Sequence, residues 1–552
     1  MDAPRGGHRA CLSPNRLFAL PSLLADIGSG SAWTEPPDRP LPSGLPLLCV
    51  SHRDCRCVGA RTFLGDDAGS FQKTEENGFV LRTLHWHWLT AILIVLLFAA
   101  YAVSLEPGQS WGGDFSLYIL HARNLAEGRA YADTGFVYNP LNPMHSPRAY
   151  PPVYPLLLAP VYAIWGMNYT AFKLAGLVCL ALAWWFLYLM ALRCGLSEVW
   201  AFVVTVLSGV SPAIWRFRDG VVPDFQYMAI SFALLWWHAR CDAEKQRGAA
   251  AGVLTGVLCA AAYGNRAAGA ALVIAVFLTE LLRRRLTPYL AGAAGSLAVL
   301  LIPLRLSGFL VSDYQKQLTG TIGMIPWNAF ELVRSFAQIW YGLHKAIAYP
   351  ALLVTVPLLL LGAWRLRRSS AVVCVAYLIT YLGMLVVWPR ASGLRYIEPV
   401  IPLYFLLVTI GVRPLFERAR SWRLAFAGLA VLLVLCEVAQ YRAFAGPIED
   451  GVLQPEFQQL VAFCRHHVPS QDVMVFWNPR VLVLYTGGHA TTYSPEADDV
   501  ENWRQFQVMK VRFIAINARW PEDGLLQKIV QEHPDRLREI YRNPIYTVYE
   551  MI

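Results

Sequence analysis

The chain has 552 residues, 56% of them hydrophobic and only 15% charged, with a mean hydropathy of +0.39. A soluble protein carries about 25% charged residues, so this composition excludes a water-soluble globule and marks a polytopic membrane protein. The net charge of +9 then reads as loop asymmetry and contact with anionic lipid, not nucleic-acid binding, because no basic stripe with interleaved aromatics accompanies it.

Residues 1–83 are rich in Pro, Gly and Arg and lack the apolar core and cleavage site of a secretory signal, so a disordered cytosolic extension is expected. Of the 11 cysteines, Cys49, Cys55 and Cys57 match no common zinc spacing, and Cys464 stands alone in the C-terminal part, where no disulfide can form. The first apolar run long enough to span a bilayer is 84–103. An outer loop at 104–170 follows, and within it 112–131 reads GGDFSLYILHARNLAEGRAY. Tyr118, His121, Ala122 and Leu125 recur at helical spacing from Asp114, giving an amphipathic helix of about four turns with the carboxylate at its head. Asp is a preferred N-cap, yet a charge held at the membrane edge also asks for a chemical reason. The two roles are compatible. Next, YPPVYPLLLAPVYAIWG (150–166) is apolar but broken by prolines, which predicts a surface or re-entrant segment.

Further candidate spans lie at about 171–192, 199–215, 222–238, 248–264, 267–282, 287–304, 347–364, 371–388, 397–412 and 424–441, eleven in all. With the N-terminus inside, the inner loops collect Arg193, Arg240, Lys245, Arg247, Arg283–Arg285, Arg365–Arg368 and Arg413–Arg423, and an odd span count leaves the C-terminus outside. The span interiors hold almost no ionisable residues. Those present gather at outer ends: Lys173, Arg216, Asp219, Asp224, Arg266, Arg305, Arg390, Arg395 and Glu398. An ion-coupled transporter would hold such groups near the midplane, whereas this pattern outlines a polar site at the outer interface. Beyond Gln454, helix-like 455–467, 499–509 and 521–532 alternate with strand-like 472–477, 511–517 and 546–551. The expected architecture is therefore a mainly α polytopic membrane protein with a transmembrane domain at 84–442 and a small α/β domain at 447–552, on the outer side of the plasma membrane.

Taken together, GGDFSLYILHARNLAEG, the proline segment after it, DGVVPDFQYMAISFALLWW, AAAYGNRAAGAAL and RASGLRYIEPVIPLYFLL resemble the GT-C type membrane glycosyltransferases. Relatives of that type include lipid-A aminoarabinose and protein mannosyltransferases. The resemblance covers about 85–442 and puts Asp114 in the catalytic acidic position of the first loop. Asp224 fits the second acidic position, with Asp219 as its competitor. Arg266 and Arg395 are nominated for the donor phosphate, and Tyr118 and Tyr396 join Asp219 as substrate-binding candidates. The chain departs from the pattern in carrying one acid, between Gly113 and Phe115, where many members pair two. The resemblance implies inverting, metal-independent transfer from a polyprenyl-phosphate sugar to a glycan, lipid or protein acceptor, with no cofactor. A lipid-linked substrate transporter or flippase and a non-catalytic membrane scaffold are the alternatives.

Overall fold

A computed structural model describes residues 68–112, 114–142, 147–284, 287–307, 309, 321–340, 345–389, 393–418, 441, 446–448 and 450–552. The chain divides into two units, Met1–Ala68 and Gly69–Ile552, and all described residues but Ala68 belong to the second. Most of the expected N-terminal extension lies outside the described residues. Its last part does not: helix α1 runs Ala68–Val103, well ahead of the apolar run it carries.

Helices α2 (Asp114–Ala126), α3 (Val153–Trp165), α4 (Tyr169–Arg193), α5 (Glu198–Gly209), α6 (Pro212–Trp215) and α7 (Asp224–Ala243) follow, then α8 (Ala249–Asn265), α9 (Gly269–Leu282) and α10 (Pro288–Leu306). After these come α11 (Ile325–Gln338), α12 (Lys345–Leu366), α13 (Val372–Val386), α14 (Leu394–Ile397) and α15 (Ile401–Arg418). Not every apolar run of the eleven expected becomes a long helix. Among the described residues five helical segments are long and apolar enough to cross a membrane: His85–Val103, Tyr169–Arg193, Pro288–Leu306, Ala348–Leu366 and Leu394–Glu417. The 199–215 run breaks where Gly209, Val210 and Ser211 separate α5 from Pro212, and the runs at 248–264, 267–282 and 371–388 become helices of 17, 14 and 15 residues. The 424–441 run lies outside the described residues. The proline segment folds as α3, whose 13 residues reach only about 20 Å at 1.5 Å per residue.

Small residues let the helices approach closely. Gly252 and Gly256 on α8 lie against the backbone of Tyr289 and Ala293 on α10, and Gly362 on α12 against Leu407 on α15, leaving no room for a Cβ. At the C-terminus, α16 (Pro455–His467), α17 (Pro479–Thr486), α18 (Asp499–Val508) and α19 (Gly524–Glu532) accompany a five-stranded sheet. Its strands are β1 (Val473–Val475), β2 (His489–Thr491), β3 (Val511–Asn517), β4 (Leu537–Arg542) and β5 (Tyr546–Met551), in the order β2-β1-β3-β5-β4. β1 runs parallel to β2 and β3, while β5 runs antiparallel to β3 and β4.

This sheet is joined to the first loop by a common core. Phe115, Tyr118 and Ile119 of α2 share one buried apolar cluster with Phe457, Phe476, Val481 and Tyr546. The chain after α2 lies along the edge of β2, with Val137 N–H donating to Ala490 O (2.9 Å) and Asn139 Nδ2 to Thr492 O (2.7 Å). An otherwise open sheet edge is thereby covered.

Candidate active site

The charged side chains nominated from sequence sit mostly at helix ends, and antiparallel packing brings several of these ends together. α7 starts at Asp224 and α8 returns to finish at Asn265, so Arg266, just past the end of α8, meets Asp224 in an ion pair. An acid in a first turn and a cation just past a last turn each suit the helix dipole. Gln226 accepts a hydrogen bond from Asn265 Nδ2 (2.6 Å), tying the same two ends together. Arg395, on the single turn of α14, then bridges two carboxylates. Its Nη1 donates to Asp114 Oδ2 at 2.8 Å, and its Nε lies 3.4 Å from Asp224 Oδ2.

Exposure separates the two acids. The Asp224 side chain is fully buried, whereas 34% of the Asp114 side chain remains open, so Asp114 is the one an incoming group can reach. Burial on its own would raise the Asp114 pKa. Arg395, Arg480 and a hydrogen bond from Tyr150 outweigh it and hold the carboxyl well below the usual carboxylate range.

Two participants, Tyr150 and Arg480, are not among the residues nominated from sequence, and a third, Glu398, is named there only as an ionisable group at an outer span end. Tyr150 O–H donates to Asp114 Oδ1 at 2.7 Å, and the ring stacks on Tyr118 with centroids 4.5 Å apart. Arg480, in the first turn of α17, donates from Nη1 to the Tyr150 hydroxyl at 2.9 Å and lies 3.7 Å from Asp114 Oδ1. Glu398 is completely buried in the positive field of Arg395, Arg266 and Arg216, with neither carboxylate oxygen in a hydrogen bond. Arg395, Arg480, Arg266 and Arg216 thus outnumber the carboxyl groups of Asp114, Asp224 and Glu398, a balance that leaves room for an anion. The signal for Tyr150 was the segment YPP itself. Nothing in the local sequence around Arg480 points to Asp114.

Other nominated residues fall elsewhere. Asp219 is not brought into the cluster. It accepts from Glu106 N–H (2.8 Å) and pairs with Lys173 (3.3 Å) and Arg218 (3.2 Å), fastening the end of α1 to α4. Tyr118 is buried between Tyr150 and Tyr154 as a wall beneath Asp114. Tyr396 neighbours Arg395 in sequence, and its carbonyl accepts from Tyr381 O–H at 2.7 Å. Among the described residues no group of three His, Cys, Asp or Glu side chains is placed to hold a metal ion.

No protein-family model and no curated protein matches the chain by sequence. Solved structures do. ArnT from Cupriavidus metallidurans bound to undecaprenyl phosphate superposes with a TM-score of 0.55 at 13% identity, covering 85% of this chain and 98% of that one. The oligosaccharyltransferase AglB from Archaeoglobus fulgidus, in complex with an inhibitory peptide and a dolichol-phosphate, superposes with a TM-score of 0.53 at 11% identity, covering 79% and 70%. The shared feature at such identities is the fold, and it is of the GT-C type.

Proposed function

We propose that this chain, which has the GT-C-type fold, is a membrane glycosyltransferase moving a sugar from a polyprenyl-phosphate donor to an acceptor hydroxyl. One observation carries the reading: an accessible, ionised Asp114 shares Arg395 with a buried Asp224, and Arg266 stands beside them. Asp114 Oδ2 takes the acceptor proton as the acceptor oxygen bonds to the anomeric carbon. The bond to the phosphate oxygen breaks on the opposite face, which inverts the sugar carbon, and the lipid phosphate leaves with the electron pair. An acceptor hydroxyl has a pKa far above neutrality, so a placed base is needed. Arg395 and Arg266 meet the charge on the leaving phosphate, because a guanidinium suits phosphate oxygens in pairs. This chemistry uses arginine charge where another enzyme uses a metal. The lipid phosphates bound to ArnT and AglB support a donor of this class.

The test is transfer of tritiated sugar from a panel of decaprenyl-phosphate sugars, arabinose and mannose among them, by the full chain in proteoliposomes. Sugar appearing on a glycan, lipid or protein acceptor is the expected result. Movement of donor between leaflets with no transfer identifies a flippase, and neither activity leaves a scaffold.

The shorter apolar helices complete the membrane bundle in this reading, and the site with its C-terminal sheet faces outward, as the inner arginine loops support. A phosphatase reporter active only outside the membrane, fused after Ile552, should be active. A silent reporter with full expression would reverse the orientation.

A further inference from the structure

The two oxygens of Asp114 are held by different parts of the chain. Oδ2 faces Arg395, the residue assigned above to the donor phosphate, while Oδ1 faces Tyr150 with Arg480 behind it. We infer that Tyr150 and Arg480 are a positioning pair that keeps Asp114 oriented and ionised when the donor phosphate draws Arg395 away, so that the C-terminal sheet unit sets the base in the membrane-side site. The inference rests on the proposed transferase reading and deepens it.

The pair is built to hold its place. Tyr150 N–H donates to His121 Nε2 at 3.2 Å, which leaves Nδ1 to carry the proton it shares with Tyr131 O at 2.8 Å. Burial lowers the His121 pKa to about 4, so this tautomer persists as a neutral ring at ordinary pH. Tyr131 O–H donates to Tyr150 O at 2.7 Å, and the Tyr118 ring covers one face. The hydroxyl of Tyr150 is thus fixed from its own backbone outward, and it points at one atom, Asp114 Oδ1.

Arg480 breaks a local rule to be there. A cation in the first turn of a helix opposes the helix dipole. Its side chain is 4% exposed and its Nε has no hydrogen-bond partner, so nothing within α17 compensates. Gluing α17 to α2 does not by itself call for a charge, since Val481, Leu482 and Val483 beside it already enter the shared core. What an apolar residue cannot supply is positive charge at Asp114. The chain from Arg480 Nη1–H to the Tyr150 hydroxyl oxygen, then from that hydroxyl's O–H to Asp114 Oδ1, polarises in one direction and strengthens the bond to the ionised acid.

The test is the pH dependence of kcat, at saturating donor, for full-length Tyr150→Phe, Arg480→Gln and the double variant in proteoliposomes. The donor is the polyprenyl-phosphate sugar that supports transfer in the panel assay. Tyr150→Phe keeps the stacked ring and removes only the hydroxyl. Losing a hydrogen bond or a neighbouring opposite charge raises a carboxyl pKa by about one unit or more, so the acid limb of kcat should move to higher pH by at least that much. The double variant should move little beyond the larger single shift, and Arg480→Lys should restore part of the way. A uniform drop in kcat with the acid limb in place, or no change at all, overturns the inference. Turnover by Asp114→Asn separates the two readings. If that variant is inactive while the limb stays fixed in the others, only the positioning pair is lost; if it is active, the base itself is lost.

Discussion

Asp114→Asn is expected to lower turnover on the order of a hundredfold or more, the usual cost of losing a general base, while the protein folds and expresses as before. Asn has nearly the same shape, it suits the start of a helix about as well as Asp, and its amide oxygen can still accept from Tyr150 O–H. It cannot take a proton from an acceptor. A second result should accompany the first and runs against intuition. The Asp114 carboxylate competes with a ligand phosphate for Arg395 Nη1, to which it is bonded at 2.8 Å. Removing its charge frees that guanidinium, so decaprenyl phosphate should bind the inactive variant as tightly as the parent or several-fold more tightly, by roughly the worth of one exposed charge contact. Calorimetry on the purified variant and turnover on the same preparation read both. Turnover within about threefold of the parent, with folding intact, would leave Asp114 as a structural partner of Tyr150 and Arg395 and remove the transferase reading.

Asp114, Asp224, Arg266 and Arg395 were visible in the sequence because a bilayer penalises charge within a span and pushes ionisable groups to helix ends. Once charge is confined there, a few short motifs at successive outer ends suffice to suggest a shared site, and the structure brings these four within contact. Asp219 satisfies the same sequence rule five residues before Asp224, and only the fold separates them. Asp219 turns to Lys173 and Glu106, where it fastens elements together. Arg480 obeys no such rule. It reaches Asp114 through the docking of a sheet on α2, and that docking is decided by the fit of Phe457, Phe476 and Val481 against Phe115 and Tyr118 across more than three hundred residues of chain. Helix bounds within the apolar runs were harder to read, for a different reason. Hydropathy reports which runs are apolar, not where a helix stops, and Gly209 with Pro212 ends α5 inside a run that is apolar throughout. In the C-terminal part, periodicity showed α16 and β3 with nearly their observed bounds, but missed β2 and β4. The three residues of β2 are too few to display a period.

Arg395→Lys carries the other large effect. The guanidinium is asked to meet Asp114 through Nη1 and Asp224 through Nε and Nη2 at once, at 2.8, 3.4 and 3.5 Å. Lys keeps the charge and loses the planar fork, so its single ammonium can serve one carboxylate or one phosphate oxygen well, not two partners together. A hydrogen bond between charged groups is worth about 1.5–3 kcal/mol, which converts to roughly ten- to a hundredfold in affinity for decaprenyl phosphate. Turnover should fall further, because the phosphate gains charge as the sugar leaves and the lost contact counts most in the transition state. Arg266 does not replace it. That side chain already pairs with Asp224 and sits past the end of α8. If Arg395 and Asp224 act as one unit, Asp224→Asn combined with Arg395→Lys should cost less than the sum of the two. An arginine that merely snorkels to the membrane surface predicts otherwise: the Lys variant would bind decaprenyl phosphate with parental affinity, and the losses in the double variant would add.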